Sequence, residues 1–234
     1  MKTAIITRAF NRLEYTAMNI REVYRLAGTA DYEHIIIDQN SSDGTGDFLR
    51  SLEIEGFYKI KVKYNKENTG DAGGMRDGFN IISDDCEYVL QLDNDLIPLT
   101  DDFINKLVYA METYPKIGAI MLKREGVGHV LEMGEIYCIN DGVKYYHMPK
   151  LHGMFFRVEH LKKLNHWANK EAIGWVKQIP NLLNGLGYIT VKTPDIKVWH
   201  ADTTGGQGQR FHKLNSGRVA GSNFKNFNYK EYEK

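Results

Sequence analysis

Two carboxylates one residue apart, Asp93 and Asp95 in LDND (92–95), close the apolar run 88–92. At a strand end such a pair can hold a hard divalent cation whose remaining positions go to phosphate oxygens. Asp and Asn are equally common in plain turns, so the tetrapeptide alone reads either way; a buried run just before it favours the metal. A second set, IIIDQNSSDGTGDF (35–48), puts Asp38 at the end of another apolar run. Its carboxylate can accept hydrogen bonds from a base or ribose, or cap the loop that follows. Asp43, ahead of Gly44 and Thr45, is placed to cap the next helix. A third set, NKENTGDAGGMRDG (65–78), gathers Gly70, Gly73 and Gly74 at a helix start, where backbone can approach an anion and Arg76 can reach a diphosphate. The alternative is that these glycines serve helix–sheet packing and Arg76 lies on the helix surface. The glycine spacing is not the dinucleotide fingerprint, and no Walker A sequence occurs.

The elements that must carry these residues alternate. Apolar runs at 3–7, 34–38, 60–64, 88–92 and 117–122 read as strands. Between them lie helix-period segments: one through Leu13, Ala17, Ile20 and Tyr24, one through Phe48, Leu49 and Leu52, one over about 72–83, and one capped by Thr100 and carrying Phe103, Leu107 and Met111. Alternation of this kind predicts a mostly parallel sheet with helices on its faces, and such sheets bind ligands at the carboxyl ends of their strands. Thr7, Arg8, Asp38, Gly70 and Asp93 all fall at those ends. Beyond Lys123 the rhythm loosens. A hairpin over 130–147, a strand at 154–158, helices at 159–164 and 179–186, strands at 188–192 and 196–199, and a loop at 201–208 are expected.

The whole-chain numbers exclude more than they assert. The 234 residues carry 30 basic and 30 acidic side chains, so nothing global marks a nucleic-acid coat or a membrane-surface protein. The basic excess is local: from Arg210 onward six Lys/Arg face two Glu among scattered aromatics. Such a tail is expected to be solvated, or else to hold a polyanion, even modified DNA. Two cysteines, Cys86 and Cys138, make neither a disulfide framework nor a zinc cluster. No run approaches the roughly 20 apolar residues that span a bilayer, and Arg8 breaks the N-terminal run too early for a signal peptide. A cytoplasmic protein is expected.

An initial strand ending in TRAFNR, then IIIDQNSSDGT, then NTGDAGGMRDG, then LDND, in this order, resembles the family 2 inverting glycosyltransferases of the GT-A fold. The likeness covers about the first 125 residues well. It implies an α/β GT-A fold, Rossmann-like, with a smaller acceptor-side region and a polar C-terminal tail. The expected division is one domain over 1–209, with a nucleotide-sugar half at 1–123 and an acceptor half at 124–209, followed by the tail 210–234. It also implies that Asp38 contacts the base and that Thr7 and Arg8 line the nucleotide pocket. Gly70, Gly73, Arg76 and Asn94 would border the donor, and Asp93 would reach the ribose or the metal. Downstream, LHGMFFRVEHLKKL (151–164) resembles the acceptor-side floor, with Gly153, Phe155 and Phe156 against the sugar or acceptor. KVWHADTTGGQ (197–207) resembles the closing segment whose histidine completes the metal shell, making His200 a ligand beside Asp95 and Asp93.

The resemblance therefore implies a metal-dependent hexosyl- or pentosyltransferase. It would use Mn²⁺ or Mg²⁺ and a nucleotide-sugar donor, UDP-linked by default, and act on a glycan or lipid-linked sugar rather than nucleic acid. One departure stands out. The family carries a Glu-Asp pair about a dozen residues before a Gly-aromatic pair, and counting back from Gly187 lands here on Trp175 and Val176. Glu171 is the nearest acid for a general base, and Trp175 offers an aromatic face to a sugar, or to the core. Two alternatives stay open: a retaining transferase on the same scaffold, and a sugar-nucleotide-binding module without catalysis.

Overall fold

The computed structural model describes residues 1–125, 136–140, 143–147, 153–164 and 175–201. Glu171, residues 130–135 of the expected hairpin and the tail 210–234 lie outside them.

Strands β1 (Lys2–Ala9), β2 (Tyr32–Asp38), β3 (Ile60–Tyr64) and β4 (Cys86–Gln91) run parallel in the order β3-β2-β1-β4. Their inner members have continuous apolar centres, Ala4–Ile6 in β1, Ile35–Ile37 in β2 and Tyr88–Leu90 in β4, because both faces are covered. Ile35, Ile36 and Ile37 are three consecutive residues of β2 with no exposed surface. The edge strand β3 instead alternates lysines (Lys61, Lys63) with apolar residues, which guards a free edge against pairing. Beyond β4 the order continues β9 (Met154–Arg157), β6 (Ile117–Glu125), β10 (Ile189–His200), β8 (Val143–His147) and β7 (Ile136–Asn140), and short β5 (Leu96–Pro98) pairs with β10. Strand β9 is antiparallel to both β4 and β6, so the sheet is mostly parallel with a reversed insert. This is the expected GT-A architecture, a curled mixed sheet with helices on both sides.

Helices α1 (Leu13–Leu26), α2 (Thr45–Glu55) and α4 (Phe103–Thr113) cover one face, and α3 (Gly70–Phe79), α5 (Val158–Leu164) and α6 (Trp175–Gly185) cover the other. Phe103, Ile104, Leu107, Val108 and Met111 give α4 the helical stripe that packs on Tyr88, Leu90 and Phe155. On the other face Met75 of α3 and Leu183 of α6 pack with Ile6, Val89 and Phe156. Helix α3 lies close on β1: a Cβ on Gly78 would stand 2.4 Å from Cγ2 of Ile6.

Four boundaries differ from expectation for identifiable reasons. Helix α3 starts at Gly70 and stops at Phe79, because Ser83 is drawn off to Glu33, bonding Oε1 through its N–H (2.7 Å) and Oε2 through its hydroxyl (2.6 Å). Thr100 does not cap α4. Its hydroxyl donates to the Asp195 carbonyl (3.1 Å) and accepts from the Lys197 N–H (2.8 Å), while Asp102 holds the cap position. Helix α6 begins at Trp175, four residues ahead of the expected start at Ile179, and runs through Pro180 to Gly185. The two strands expected over 188–199 are one strand, β10, whose register with β6 shifts between Lys192 and Lys197. That irregularity takes up Thr193, Pro194 and Asp195 without ending the strand. Among the described residues no helix is long and apolar enough to cross a membrane.

Candidate functional site

The carboxyl ends of β1, β2 and β4 open on one side of the sheet, and the charged residues gather there. Strand β1 ends in a strained turn. Asn11 (φ 57°) and Arg12 (φ 66°) are both left-handed, a conformation that side chains with a Cβ resist. Hydrogen bonds hold it in place. The Asn11 N–H donates to Ser41 Oγ (2.8 Å), its Oδ1 accepts from the Ser42 N–H (2.8 Å), and its carbonyl accepts from Asn94 Nδ2 (3.1 Å). Asp43 joins the same brace. One oxygen takes the Leu13 N–H at the start of α1 (3.0 Å), and the other takes the Thr45 N–H (3.1 Å) and hydroxyl (2.6 Å) at the start of α2. Asp43 thus takes the first N–H of two helices, while the N-cap positions themselves fall to Arg12 and Gly44.

The turn aims Arg12 at the acidic motif. Its Nη1 lies 2.5 Å from Asp95 Oδ2, and Arg8 pairs through Nη2 with Asp93 and through Nη1 with Asp71 (2.6 Å). The Arg8 and Arg12 side chains are only 10% and 13% exposed, so their pairs with Asp93 and Asp95 form largely out of water, while Asp71 is exposed. Burial disfavours the Arg8 charge, but Asp93 and Asp71 outweigh it and raise its pKa above the ordinary value. Arg124, at the end of β6, faces both Asp93 and Asp95. Burial pulls its pKa down, and the two carboxylates only partly offset this.

His200 reaches the motif from the far end of the chain through sheet register. Strand β5 follows Asp95 directly and pairs antiparallel with β10, setting His200 opposite Leu96, and the Ala201 N–H then donates to the Asp95 carbonyl (2.9 Å). His200 Nε2 stands 3.6 Å from Asp95 Oδ2, the oxygen that Arg12 also holds. Burial would raise the Asp95 pKa, but His200 and Arg12 together keep it below the usual carboxylate value. Asp95 is thus an anion at neutral pH.

The remaining nominated residues divide. Asn94 is buried and donates to the Asn11 carbonyl and to Thr16 Oγ1 (3.0 Å), so it braces the loop. Thr7 has no exposed surface; its hydroxyl lies 2.8 Å from His34 Nε2, on the opposite face of β1 from Arg8. Asp38 is buried and accepts from the Ser41 N–H (3.2 Å), the loop-capping alternative. Gly70 opens α3 at φ 70°, where glycine alone is unstrained. A Cβ on Gly73 would stand 2.4 Å from Thr69 Oγ1 and 3.7 Å from Arg76 Nη2, so the half-buried Arg76 reaches back toward the start of α3. Phe155 and Phe156 are fully buried, Phe155 stacked on Tyr88 at 5.0 Å, and both belong to the core. Trp175 is the first residue of α6.

Three contributors escape the motif reading. Arg12 lies within TRAFNR, but its reach depends on two left-handed residues that no pattern announces. Arg124 is brought in by β9 separating β4 from β6. Gln39 joins its own loop to the one between β3 and α3. Its Oε1 accepts from Asn65 Nδ2, the Thr69 N–H and the Thr69 hydroxyl (3.1 Å each), and its Nε2 donates to the Gly70 carbonyl (3.2 Å). Gly74 leaves room for it, since a Cβ there would lie 2.3 Å from Gln39 Nε2.

The donors present, two carboxylates and an imidazole, suit a divalent cation by type. Among the described residues, however, no three His, Cys, Asp or Glu side chains converge on one point. Asp93 turns to Arg8 and Asp95 to Arg12, leaving Asp95 and His200 as the close pair. Asp95 and His200 are therefore the residues that could hold a metal ion here.

Comparison with known proteins gives the arrangement its relatives. No curated protein sequence matches the chain. A mannosyltransferase from Pyrobaculum calidifontis, solved with GDP-Man and Mn²⁺, superposes with a TM-score of 0.68 at 17% identity, over 95% of this chain and 66% of that one. GalNAc-T7, solved with UDP, GalNAc and Mn²⁺, gives 0.70 at 14% identity, over 88% of this chain and 44% of its own. A 1–349 fragment of TarS from S. aureus, solved with UDP-GlcNAc, gives 0.62 at 14%, over 92% and 64%. The chain spans less than two thirds of each of these solved structures, and at such identities the likeness is one of fold. The sequence model for glycosyl transferase family 2 matches residues 4–169, well over half the chain, and the protein belongs to that family.

Proposed function

We propose that the chain is a glycosyltransferase domain that takes a sugar from a nucleotide-diphosphate donor and passes it to an acceptor hydroxyl. The observation that carries this reading is the convergence of Asp95, His200, Arg8 and Arg12 at the carboxyl ends of the sheet. That is where α/β sheets take nucleotides, in a family whose structural neighbours were solved with GDP-Man, UDP and UDP-GlcNAc.

Asp95, His200 and Asp93 are the residues that would hold Mn²⁺ or Mg²⁺, which supplies Lewis-acid neutralisation of the departing diphosphate. Arg8 and Arg12 add fixed positive charge beside it, and Arg76 with the first N–H groups of α3 adds more. Gln39 keeps the 65–70 loop and the start of α3 in register so that those N–H groups face the anion. Asp38 closes the base side of the pocket. The acceptor hydroxyl must lose a proton as it attacks the anomeric carbon; Glu171 is the proposed base and Trp175 the proposed sugar platform, with inversion following from a single displacement. A glycan or lipid-linked sugar is the proposed acceptor.

The test is a thermal-shift screen of UDP-, GDP-, dTDP- and CMP-sugars with Mn²⁺, with Mg²⁺ and with EDTA. A ligand at a hundredfold excess over its Kd adds about 2.7 kcal/mol, a shift of several degrees. One nucleotide class is expected to stabilise the protein. A folded protein that no donor stabilises would sink the proposal.

A further inference from the structure

Thr16 and Asn19 stand on the buried face of helix α1, among Met18, Ile20 and Val23. Asparagine is a poor choice for a helix interior, and a buried amide without partners is costly. Asn19 has partners on both sides. Its Nδ2 donates to the Leu96 carbonyl (2.8 Å) and the Asp93 carbonyl (3.3 Å), and its Oδ1 accepts from the Thr7 hydroxyl (3.5 Å). Asp93 opens the turn between β4 and β5 and Leu96 closes it, with the Leu96 N–H also donating to the Asp93 carbonyl (2.8 Å). One amide NH₂ group thus grips both ends of the turn from which Asp93 and Asp95 project. Thr16 adds a third hold from the same helix, accepting from Asn94 Nδ2 (3.0 Å). The Ala201 N–H takes the Asp95 carbonyl (2.9 Å), so the turn is pinned to α1 at its ends and to β10, beside His200, at Asp95.

The orientation of that amide is not free. Turned over, it would set Oδ1 against two carbonyl oxygens and repel both. Thr7 keeps it the right way round when its hydroxyl proton points to Asn19. Burial holds the His34 ring neutral, with a single N–H. The Nε2–H tautomer donates to Thr7 Oγ1 (2.8 Å) and leaves the threonine proton for Asn19. His34, Thr7 and Asn19 thus form a directional chain of hydrogen bonds that ends on the turn, and all three are buried. We infer that Asn19 is a positioning residue: by holding the Asp93 and Leu96 carbonyls it keeps the Asp95 carboxylate within reach of His200, with Thr7 fixing its amide. The affinity of Asp95 and His200 for a divalent cation then depends on a helix residue that touches neither ion nor donor. This rests on the donor-site reading above and adds to it the support that sets the geometry of the acidic turn. Partners that orient the groups around a metal commonly change its affinity by about 10–100-fold.

The probe is Mn²⁺, titrated calorimetrically into the whole chain at saturating UDP or GDP, whichever stabilises the wild type, with the same titration into nucleotide alone subtracted. Thr7→Val nearly keeps the shape of the side chain and removes the hydroxyl. Its Mn²⁺ affinity is expected to fall by roughly tenfold. Thr7→Ser restores the hydroxyl and should return the affinity to near the wild-type value. Asn19→Leu removes the grip itself and should weaken Mn²⁺ further, toward roughly a hundredfold. Amide hydrogen exchange at Leu96 should quicken in Thr7→Val and Asn19→Leu and slow again in Thr7→Ser. Nucleotide affinity at saturating Mn²⁺ should stay near wild type in each. A role confined to stability predicts lower melting temperatures with Mn²⁺ affinity unchanged wherever the variants are folded, and that result overturns the inference. So does a Thr7→Ser that binds Mn²⁺ as weakly as Thr7→Val. If Asn19→Leu does not fold, the two Thr7 variants decide alone. Equal Mn²⁺ affinity in wild type and variants leaves the donor-site reading standing, whereas a wild type that binds neither UDP nor GDP with Mn²⁺ sinks both.

Discussion

Thr7 and Arg8 are consecutive on β1 and face opposite ways. Thr7 meets His34 and Asn19 beneath α1, in a polar set that carries no charge: burial pushes the His34 pKa from 6.5 down to about 3, so the ring is neutral. Arg8 meets Asp71 and Asp93 beside α3, in a set made of full charges. Apart from the exposed Asp71 both sets lie largely out of water, yet they differ in what could replace them. The neutral set satisfies itself with short bonds inside the core and gains nothing from a ligand. The charged set holds ions that water would solvate as well, and a ligand of the right charge can exchange with either partner. The same division runs along α3. Gly74 makes room for Gln39 and the loops of the site, while Gly78, one turn on, makes room for Ile6 and the core. Structure and site thus meet within a few residues of the same elements, and substitutions a few ångströms apart should have opposite signatures.

The largest effect is expected at Asp95. Asp95→Asn keeps the size of the side chain but removes the anion that Arg12 and His200 hold. Transfer, or donor hydrolysis before an acceptor is known, should fall by roughly 10²–10³, about 3–4 kcal/mol of transition-state stabilisation. The Mn²⁺-dependent part of the nucleotide thermal shift should vanish with it. A variant with near-normal turnover would move the catalytic centre away from this motif. The core side of the comparison is probed by Gly78→Ala. The substitution gains about 1 kcal/mol of helix propensity but forces a Cβ to 2.4 Å from a fully buried, β-branched side chain, an overpacking cost of about 1–3 kcal/mol. Denaturant unfolding should show a net loss of up to about 2 kcal/mol, with the nucleotide shift unchanged in size. A gain in stability would show that α3 sits less tightly on β1 than the structure has it.

How much of this could be read from the residues follows the distance over which each contact is made. The four parallel strands and their helices were legible because each buries a local pattern: continuous isoleucines in β2, a helical stripe in α4. Asp95 and Asp43 could be named because strand ends and helix starts announce such residues. His200 could be named only through a family likeness, since its approach to Asp95 depends on a three-residue strand, β5, too short to leave a pattern. Arg12 and Arg124 were hidden for a related reason. One is aimed by backbone angles, the other by a strand order in which β9 enters between β4 and β6. Thr7 shows the converse: a polar residue at a strand end looks like a site, and which face it takes is decided by the helix that packs there.

The neutral set offers the last and smallest break, through pH. In the unfolded chain His34 titrates near 6.5, and in the folded protein near 3. Between those values the unfolded chain binds the extra proton, so folding loses stability as pH falls from about 6.5 toward 3, by up to about 1.4 kcal/mol per pH unit. Above that window the ring is neutral in both states and contributes no slope. Asp95, whose pKa is depressed, acts lower down: its contribution is present above the ordinary carboxylate value of 3.8 and is lost only as pH drops through its folded pKa. The interval from about pH 6 to pH 5 therefore reports the histidines. His160 also titrates low because it is buried against Tyr188, so the total slope belongs to more than one ring. The difference between wild type and His34→Gln isolates the one that faces Thr7. Glutamine can still meet the threonine hydroxyl but takes up no proton. Urea unfolding at pH 5, 5.5 and 6 should give the variant a shallower loss of stability, by close to one proton's worth. Identical slopes would mean that His34 is protonated in the folded state, and that the pocket behind β1 is as open to charge as the one in front of it.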